Sequence, residues 1–329
     1  MALTPLLHWQ MTCQILAAPQ QKHAIVHVIA PASKTVSSEL TAITDYLTTV
    51  GLPFYLPTNL YGEDPLYANS DDARAGHLIT ALTDDSRFIW CLRGGYGSAR
   101  LIPYLERLPP EVKAKIRDNR TQKIVIGYSD ITALQLYLQK KYQWPALHAT
   151  MLSEIINHKV APQSVDQLLA FITAPPKSIV IPQLTLLSQK ALPNDFKLEA
   201  RVVGGNLTLV ETSLGTCWQL AAANQFLFLE DVALPPAALE CRLDHLRQAG
   251  IFDGVKAVIF GDLTQSGNQP LTAIVQQRFA QSVAFPVFSL QGIGHGYRKT
   301  PLPLNTLATL QAVAGPSGPF SLTVAAPYS

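Results

Sequence analysis

Three side chains lying far apart in the sequence have the types that acyl transfer needs: Ser129, Glu230 and His295. A serine hydroxyl is a weak nucleophile near neutral pH, so an imidazole must take its proton. The imidazole in turn needs a carboxylate to fix its tautomer and stabilise its charged form. Serine, acid, histidine is one known chain order for such a set. Each of the three falls at an expected strand end or in a glycine loop, where the edge of a sheet presents groups to a ligand. Each also has a plainer reading. Ser129 precedes Asp130-Ile131-Thr132 and is a good helix N-cap, Glu230 could be a solvated strand end, and His295 could be a surface loop residue.

The elements that must position them can be read from hydrophobic spacing. Lys123-Ile124-Val125-Ile126 is a β-branched run expected as a buried strand, and Ala133-Leu134-Gln135-Leu136-Tyr137-Leu138 has helical spacing, so strand turns directly into helix at Ser129. Backbone N–H groups at such a helix start are free to meet negative charge. The pattern is that of a nucleophile elbow, with Ile131 in place of the second glycine of G-x-S-x-G. One strand earlier, the expected strand 87–92 runs into Arg93-Gly94-Gly95-Tyr96-Gly97-Ser98. These glycines can bring bare N–H groups to a ligand or simply form a tight turn. Their spacing matches neither the Walker loop nor the dinucleotide fingerprint, which argues against nucleotide binding.

Further upstream, an expected strand at 23–29, helix at 37–50, strand at 52–56 and helix from Asp71-Asp72 to Leu82 alternate as in a parallel sheet. An N-terminal α/β domain is therefore expected over 23–173. Ala174-Pro175-Pro176-Lys177 opens a proline-rich stretch expected as a linker over 174–195. A second, β-rich domain is expected over 196–329. It contains Gly204-Gly205-Asn206, a strand at 225–229 closed by Glu230-Asp231, a helix at 239–250, a strand at 255–260 and the glycine loop that holds His295.

With 329 residues, 48% hydrophobic and 15% charged, the chain can bury a sizeable core in two domains. A net charge of +2 without runs of like charge gives no reason to expect a nucleic-acid or membrane partner, so the ligand is expected to be a small molecule or peptide. Cys13, Cys91, Cys217 and Cys241 form no C-x-x-C, and the eight histidines form no H-E-x-x-H, so neither metal nor cofactor is expected. Cys91 and Cys217 lie in apolar segments and are expected as small buried hydrophobes. Residues 1–22 lack a basic start and a sustained apolar core, being broken by His8, Gln10, Gln14 and Gln20. No signal peptide or membrane span is expected, and the location expected is the cytoplasm.

The motifs also form an ordered set: Leu92-Arg93-Gly94-Gly95-Tyr96-Gly97-Ser98-Ala99-Arg100-Leu101, Gly127-Tyr128-Ser129-Asp130-Ile131-Thr132-Ala133, Gly204-Gly205-Asn206-Leu207, Phe228-Leu229-Glu230-Asp231-Val232, and Gly294-His295-Gly296 with Leu302-Pro303-Leu304. In this order, over roughly 24–325, they resemble the LD-carboxypeptidases, or muramoyltetrapeptide carboxypeptidases, serine peptidases that trim cell-wall peptides. The resemblance implies Ser129 as nucleophile, His295 as general base and Glu230 as the carboxylate that orients it. It implies an oxyanion hole from the N–H groups of Gly94, Gly95 and Asp130. A free C-terminus needs a cation or N–H cluster to receive it, for which Arg93 is one candidate, although an arginine beside a glycine turn could equally pair with a local carboxylate; Tyr96 is the other expected substrate contact. It further implies a homodimer, acting without cofactor on the bond between a diamino acid and the terminal D-alanine of a murein tetrapeptide, in cell-wall recycling.

Two stretches depart from the family pattern. Ala237-Ala238-Leu239-Glu240-Cys241, with Arg242 one place later, stands where relatives carry a Tyr-Arg-Ile-Asp-Arg-like run, and His148-Ala149-Thr150-Met151 replaces a His-Gly-Pro-Met-like one. These changes bear on substrate and dimer contacts. Two other readings remain open at this point: the related immunity peptidases, which cleave a peptide–nucleotide antibiotic and would need an aromatic or apolar nucleobase slot, and a peptide-binding module without turnover.

Overall fold

The computed structural model describes residues 24–36, 38–265, 267–313 and 320–327. Five short runs, Val26–Ile29 (β1), Phe54–Tyr55 (β2), Phe88–Cys91 (β3), Ile124–Ile126 (β4) and Ala146–His148 (β5), pair in parallel in the order β2-β1-β3-β4-β5. Strands β1, β3, β4 and β5 are buried at every position, which explains why they read as continuous apolar runs without alternation. Between β2 and β3 runs the helix Asp71–Thr83, where the Ser70 side chain accepts the Ala73 N–H and Asp71 and Asp72 meet the positive helix end.

The remaining strands are Ser178–Leu186 (β6), Lys197–Asn206 (β7), Phe226–Val232 (β8), Ala257–Thr264 (β9), Val287–Ser289 (β10), Leu302–Leu304 (β11), Leu307–Ala312 (β12) and Phe320–Ala325 (β13). Seven of them close into a barrel in the order β10-β6-β13-β12-β7-β8-β9. The eighth, β11, leaves the barrel and pairs antiparallel with β5, extending the first sheet. The sequence-based fold class is therefore observed: a parallel-rich α/β sheet followed by a β-rich unit.

Three expectations need correction or restriction. The stretch 174–195, expected as a linker, contributes the barrel strand β6. Pro182 disguised it, since proline within a strand-like run argues against a strand; here the pairing with β13 shifts register between Phe320 and Leu322 and accommodates it. Cys217 is exposed, whereas Cys91 is buried as expected; the adjacent Trp218 takes the buried place. The readings of residues 1–22, Cys13, His23 and Ser37 lie outside the described residues. No helix among those described is long and apolar enough to cross a membrane.

At the amino ends of these strands a compact ion network ties three segments. Lys123, just before β4, places its ammonium 2.5 Å from Asp84 Oδ1 and 2.9 Å from Ser86 Oγ, and also donates to the Ser86 carbonyl. His27 of β1 lies 2.6 Å from Asp84 Oδ2. Burial pushes the Asp84 carboxyl up, but the His27 hydrogen bond and the Lys123 charge outweigh it and hold it well below the usual carboxylate range. A group depressed in this way contributes stability that is complete above its unfolded value, near pH 4, and is lost as pH falls toward the folded value. Asp84→Asn should cost about 3–5 kcal/mol at pH 7, because it strands a buried ammonium. The gap to wild type in denaturant unfolding should narrow below about pH 4; a gap unchanged between pH 7 and pH 3 would refute the assignment.

Candidate active site

Ser129 lies three positions past the end of β4 and opens a short 3-10 turn, Ser129–Ile131, that continues into the helix Thr132–Tyr142. Its φ is 62°, a left-handed conformation that costs a residue with a side chain about 1–2 kcal/mol. The neighbours enforce it. Ser98 Oγ donates to the Asp130 carbonyl at 2.5 Å, the Ser98 N–H donates to Asp130 Oδ2 at 2.9 Å, and Gln135 Nε2 donates to the Gly127 carbonyl at 2.8 Å. A Cβ on Gly127 would lie 3.1 Å from both γ-carbons of Ile131, so the first glycine makes room for the isoleucine that replaces the second.

The Gly94-Gly95 turn lies directly against this elbow. A Cβ on Gly94 would stand 3.3 Å from Ser129 Oγ, and Gly95 has a φ of 106° with Ser33 Cβ only 2.7 Å from where its own Cβ would be. Glycine is required at Gly95, and at Gly94 its lack of a side chain lets the backbone come this close without displacing Ser129. Ser33 anchors the turn by donating its N–H to the Gly94 carbonyl at 3.3 Å and accepting the Tyr96 N–H at 3.2 Å. Among the described residues no hydrogen bond engages the N–H of Gly94, Gly95 or Asp130.

Glu230 reaches the same place from the barrel. Expected at a strand end, it instead lies inside β8 and is 0% exposed. The β8–β9 ladder shifts register between Leu229 and Asp231, with the extra residue on β9, and such bulges re-aim side chains. The loop carrying His295 folds back on that bulge: Asp262 donates its N–H to the Ile293 carbonyl at 2.8 Å, and its carboxylate accepts the Gly292 N–H at 3.0 Å. Gly294 and Gly296 are needed because Asp262 leaves no room for a Cβ at either.

His295 Nδ1 then lies 2.6 Å from Glu230 Oε2. Burial pushes the Glu230 carboxyl up, but the His295 charge and hydrogen bond, with the His148 imidazole 3.5 Å away, outweigh it and bring it to about 2. Burial pulls His295 down, and the Glu230 charge and hydrogen bond more than reverse this, so the imidazole titrates above its ordinary value.

Ser129, His295, Gly94, Gly95 and Arg93 line one pocket of about 220 Å3. Arg93 donates to the Lys34 carbonyl at 3.1 Å and has no carboxylate partner among the described residues. Ser129 Oγ and His295 share the pocket without a hydrogen bond between them; bonds of this kind often tighten only with substrate bound. Tyr96, expected to touch substrate, is 79% exposed and is not part of the pocket lining. Arg242 also lies elsewhere, paired with Glu211. The sequence reading missed the group formed by Tyr128, Glu154 and Lys299. Lys299 Nζ lies 2.6 Å from Tyr128 Oη and pairs with Glu154, and Tyr128 Oη lies 2.5 Å from Glu154 Oε1. Burial and then the Glu154 charge push the Tyr128 hydroxyl well up.

The family model of the LD-carboxypeptidase N-terminal domain matches residues 26–149, and that of the C-terminal domain matches residues 199–310. The chain belongs to the LD-carboxypeptidase family. A Rickettsia conorii protein, assigned to the carboxypeptidases only provisionally by its name, is 35% identical over 288 residues, covering 87% of each chain. The murein tetrapeptide carboxypeptidase of Pseudomonas aeruginosa is 26% identical over 294 residues, covering 87% of this chain and 92% of its own. The microcin C7 self-immunity protein of Escherichia coli is 26% identical over 241 residues, covering 64% of this chain and 67% of its own. In fold, a muramoyltetrapeptide carboxypeptidase from Oxalobacter formigenes superposes with a TM-score of 0.75 at 23% identity, covering 92% of this chain and 98% of that one.

The coupling of His295 to Glu230 in this family member can be tested without substrate. In Glu230→Gln the carboxylate charge is gone and burial remains, so the His295 imidazole should titrate below its ordinary value of about 6.5 rather than above it, as read by NMR. An unchanged titration would show that the carboxylate does not set its basicity.

Proposed function

We propose that this chain is a serine carboxypeptidase that hydrolyses the bond between the L-centre of a diamino acid and the terminal D-alanine of a murein tetrapeptide. The observation that carries the reading is the meeting, in one pocket, of a strained serine, an imidazole backed by a buried carboxylate, and a glycine turn within van der Waals reach of the serine hydroxyl. Ser129 is the nucleophile and His295 the base that takes its proton. Glu230, on Nδ1, fixes the tautomer that leaves Nε2 free to accept and stabilises the imidazolium. The N–H groups of Gly94, Gly95 and Asp130 are the donors for the oxyanion, each contributing about 3–4 kcal/mol to lowering the barrier. His295 then returns the proton to the leaving amine of D-alanine, and water releases the shortened peptide from Ser129.

Arg93 is the group proposed to receive the free carboxylate of the leaving residue, since a guanidinium can bind it through two parallel hydrogen bonds. The name of the Pseudomonas relative supports the murein substrate. The recycling role and a homodimer complete the reading and rest on the family resemblance alone, and a cytoplasmic location is the expectation of the sequence. The immunity-type alternative needs an aromatic or apolar slot beside the elbow. Among the described residues the phenol of Tyr128 lines the pocket, and it is already packed by His295 at 4.7 Å, His148 at 5.1 Å and Lys299 at 4.7 Å. That lining holds no further ring apart from the His295 imidazole itself, and the exposed Tyr96 ring lies outside it, which favours the murein peptide.

Incubation of the purified protein with murein tetrapeptide should release D-alanine, and Ser129→Ala should lower kcat by roughly 10^4-fold or more. No release by wild type would overturn the substrate, and equal release by the variant would overturn the mechanism. Because Glu230 raises His295, the acidic limb of kcat/KM should lie above about 6.5, with activity falling as pH drops through it.

A further inference from the structure

We propose that His148 is a positioning residue, a second imidazole that donates to the Glu230 oxygen left free by His295 and thereby holds the carboxylate in place. This rests on the reading of Ser129, His295 and Glu230 given above. Glu230 has no solvent contact, so both of its oxygens need donors from the protein. His295 takes Oε2 at 2.6 Å. Asn206 Nδ2 donates to Oε1 at 3.5 Å, and His148 Nε2 stands at the same distance without a completed hydrogen bond.

The two are not equivalent. Asn206 Nδ2 is closer to Asp231 Oδ1, at 3.1 Å, and its own oxygen accepts the Leu209 N–H. His148 Nε2 is buried and has no nearer partner. With an acceptor as its neighbour, Nε2 is assigned as a protonated nitrogen.

The ring cannot turn away easily. His148 ends β5, paired with Leu302 of β11, and its imidazole is wedged edge-on against Phe228, centroids 5.4 Å apart, and tilted against Tyr128 at 5.1 Å. Phe228 precedes Glu230 by two residues on β8, so it shares a face with the carboxylate. Tyr128 stands between the two imidazoles. A donor here completes the partners of the carboxylate. It draws part of the carboxylate charge onto Oε1, so that His295 releases its proton more readily than it would against an unshared carboxylate.

The test compares His148→Gln, which keeps an N–H near the reach of Nε2, with His148→Phe, which keeps ring volume without a donor. His148→Asn, whose amide is too short, covers the case in which the phenylalanine does not fold. The other ionisable groups around the pair, Asp231, Asp262, Tyr128, Lys299 and Glu154, stay unchanged in all three. The NMR titration of His295, which needs no substrate, should move upward in the Phe and Asn variants and stay near wild type in the Gln variant. With murein tetrapeptide, kcat should fall about tenfold or more in Phe and Asn with KM within about twofold, and the acidic limb should follow the titration. Equal losses in all three variants with no titration shift, or a Phe variant with wild-type titration and kcat, would overturn the proposal. Should wild type release no D-alanine, the functional reading fails while the titration still decides the role of His148.

Discussion

A carboxylate sealed from water is the constraint on which the rest of this structure depends. An ionised Glu230 without partners would carry a desolvation penalty of several kcal/mol, and its depressed pKa marks it as charged. The chain meets that cost by bringing donors from three separate segments: His295 from the loop after β10, His148 from the end of β5 and Asn206 from the end of β7. Since β5 belongs to the parallel sheet and β7 to the barrel, the carboxylate is satisfied only where the two units meet.

The seam between them is built to bring the chain that close. Thr132 begins the helix behind the elbow, and a Cβ on Gly205 would lie 2.9 Å from its Oγ1, while the Asn206 N–H donates to the same atom at 3.2 Å. Strand β11 crosses from the barrel to the first sheet and pairs Leu302 with His148. The residues following His295 are tied to the other unit as well: the Tyr297 carbonyl accepts the Ala161 N–H at 2.8 Å, and the Lys299 N–H donates to Ser164 Oγ at 2.8 Å. A base supplied by one unit can thus be held over a hydroxyl supplied by the other without relying on the long loop itself.

What could be read in the sequence was whatever local pattern carries. Ser129 was legible because β-branched spacing gives way to helical spacing at a single residue, and the Gly94-Gly95 turn because two glycines end an apolar run. Glu230 and His295 were legible as ends and loops only in company with the other motifs, and the burial of Glu230 was not legible at all, since it follows from the place of β8 between β7 and β9, where Phe226 to Asp231 are all buried. Strand β6 was hidden by Pro182. The Tyr128, Glu154 and Lys299 group leaves no local trace: Lys299 is 171 positions from the tyrosine and 145 from the glutamate, and Glu154 reads only as an acid in a first helical turn, where it does accept the Met151 N–H. Tyr96 shows the opposite failure, a residue inside a functional motif whose backbone is used by Ser33 while its ring stays in solvent.

Lys299 would at first sight work against the site, because a cation beside an imidazole makes protonation harder, and it does lower His295. Its pairing with Glu154 limits the damage. Without the lysine, Glu154 would be an unmatched carboxylate on the pocket wall, unfavourable both to Tyr128 and to any anionic ligand; without the glutamate, Lys299 would oppose Glu230 at full strength. Together they cancel at short range, and Glu230 is left as the charge that dominates His295. The pocket cations with no carboxylate partner among the described residues are Arg93 and Lys159. The charges available to a ligand are therefore separate from those that set the basicity of the imidazole, so a substrate carboxylate can be bound without neutralising the group that activates the serine.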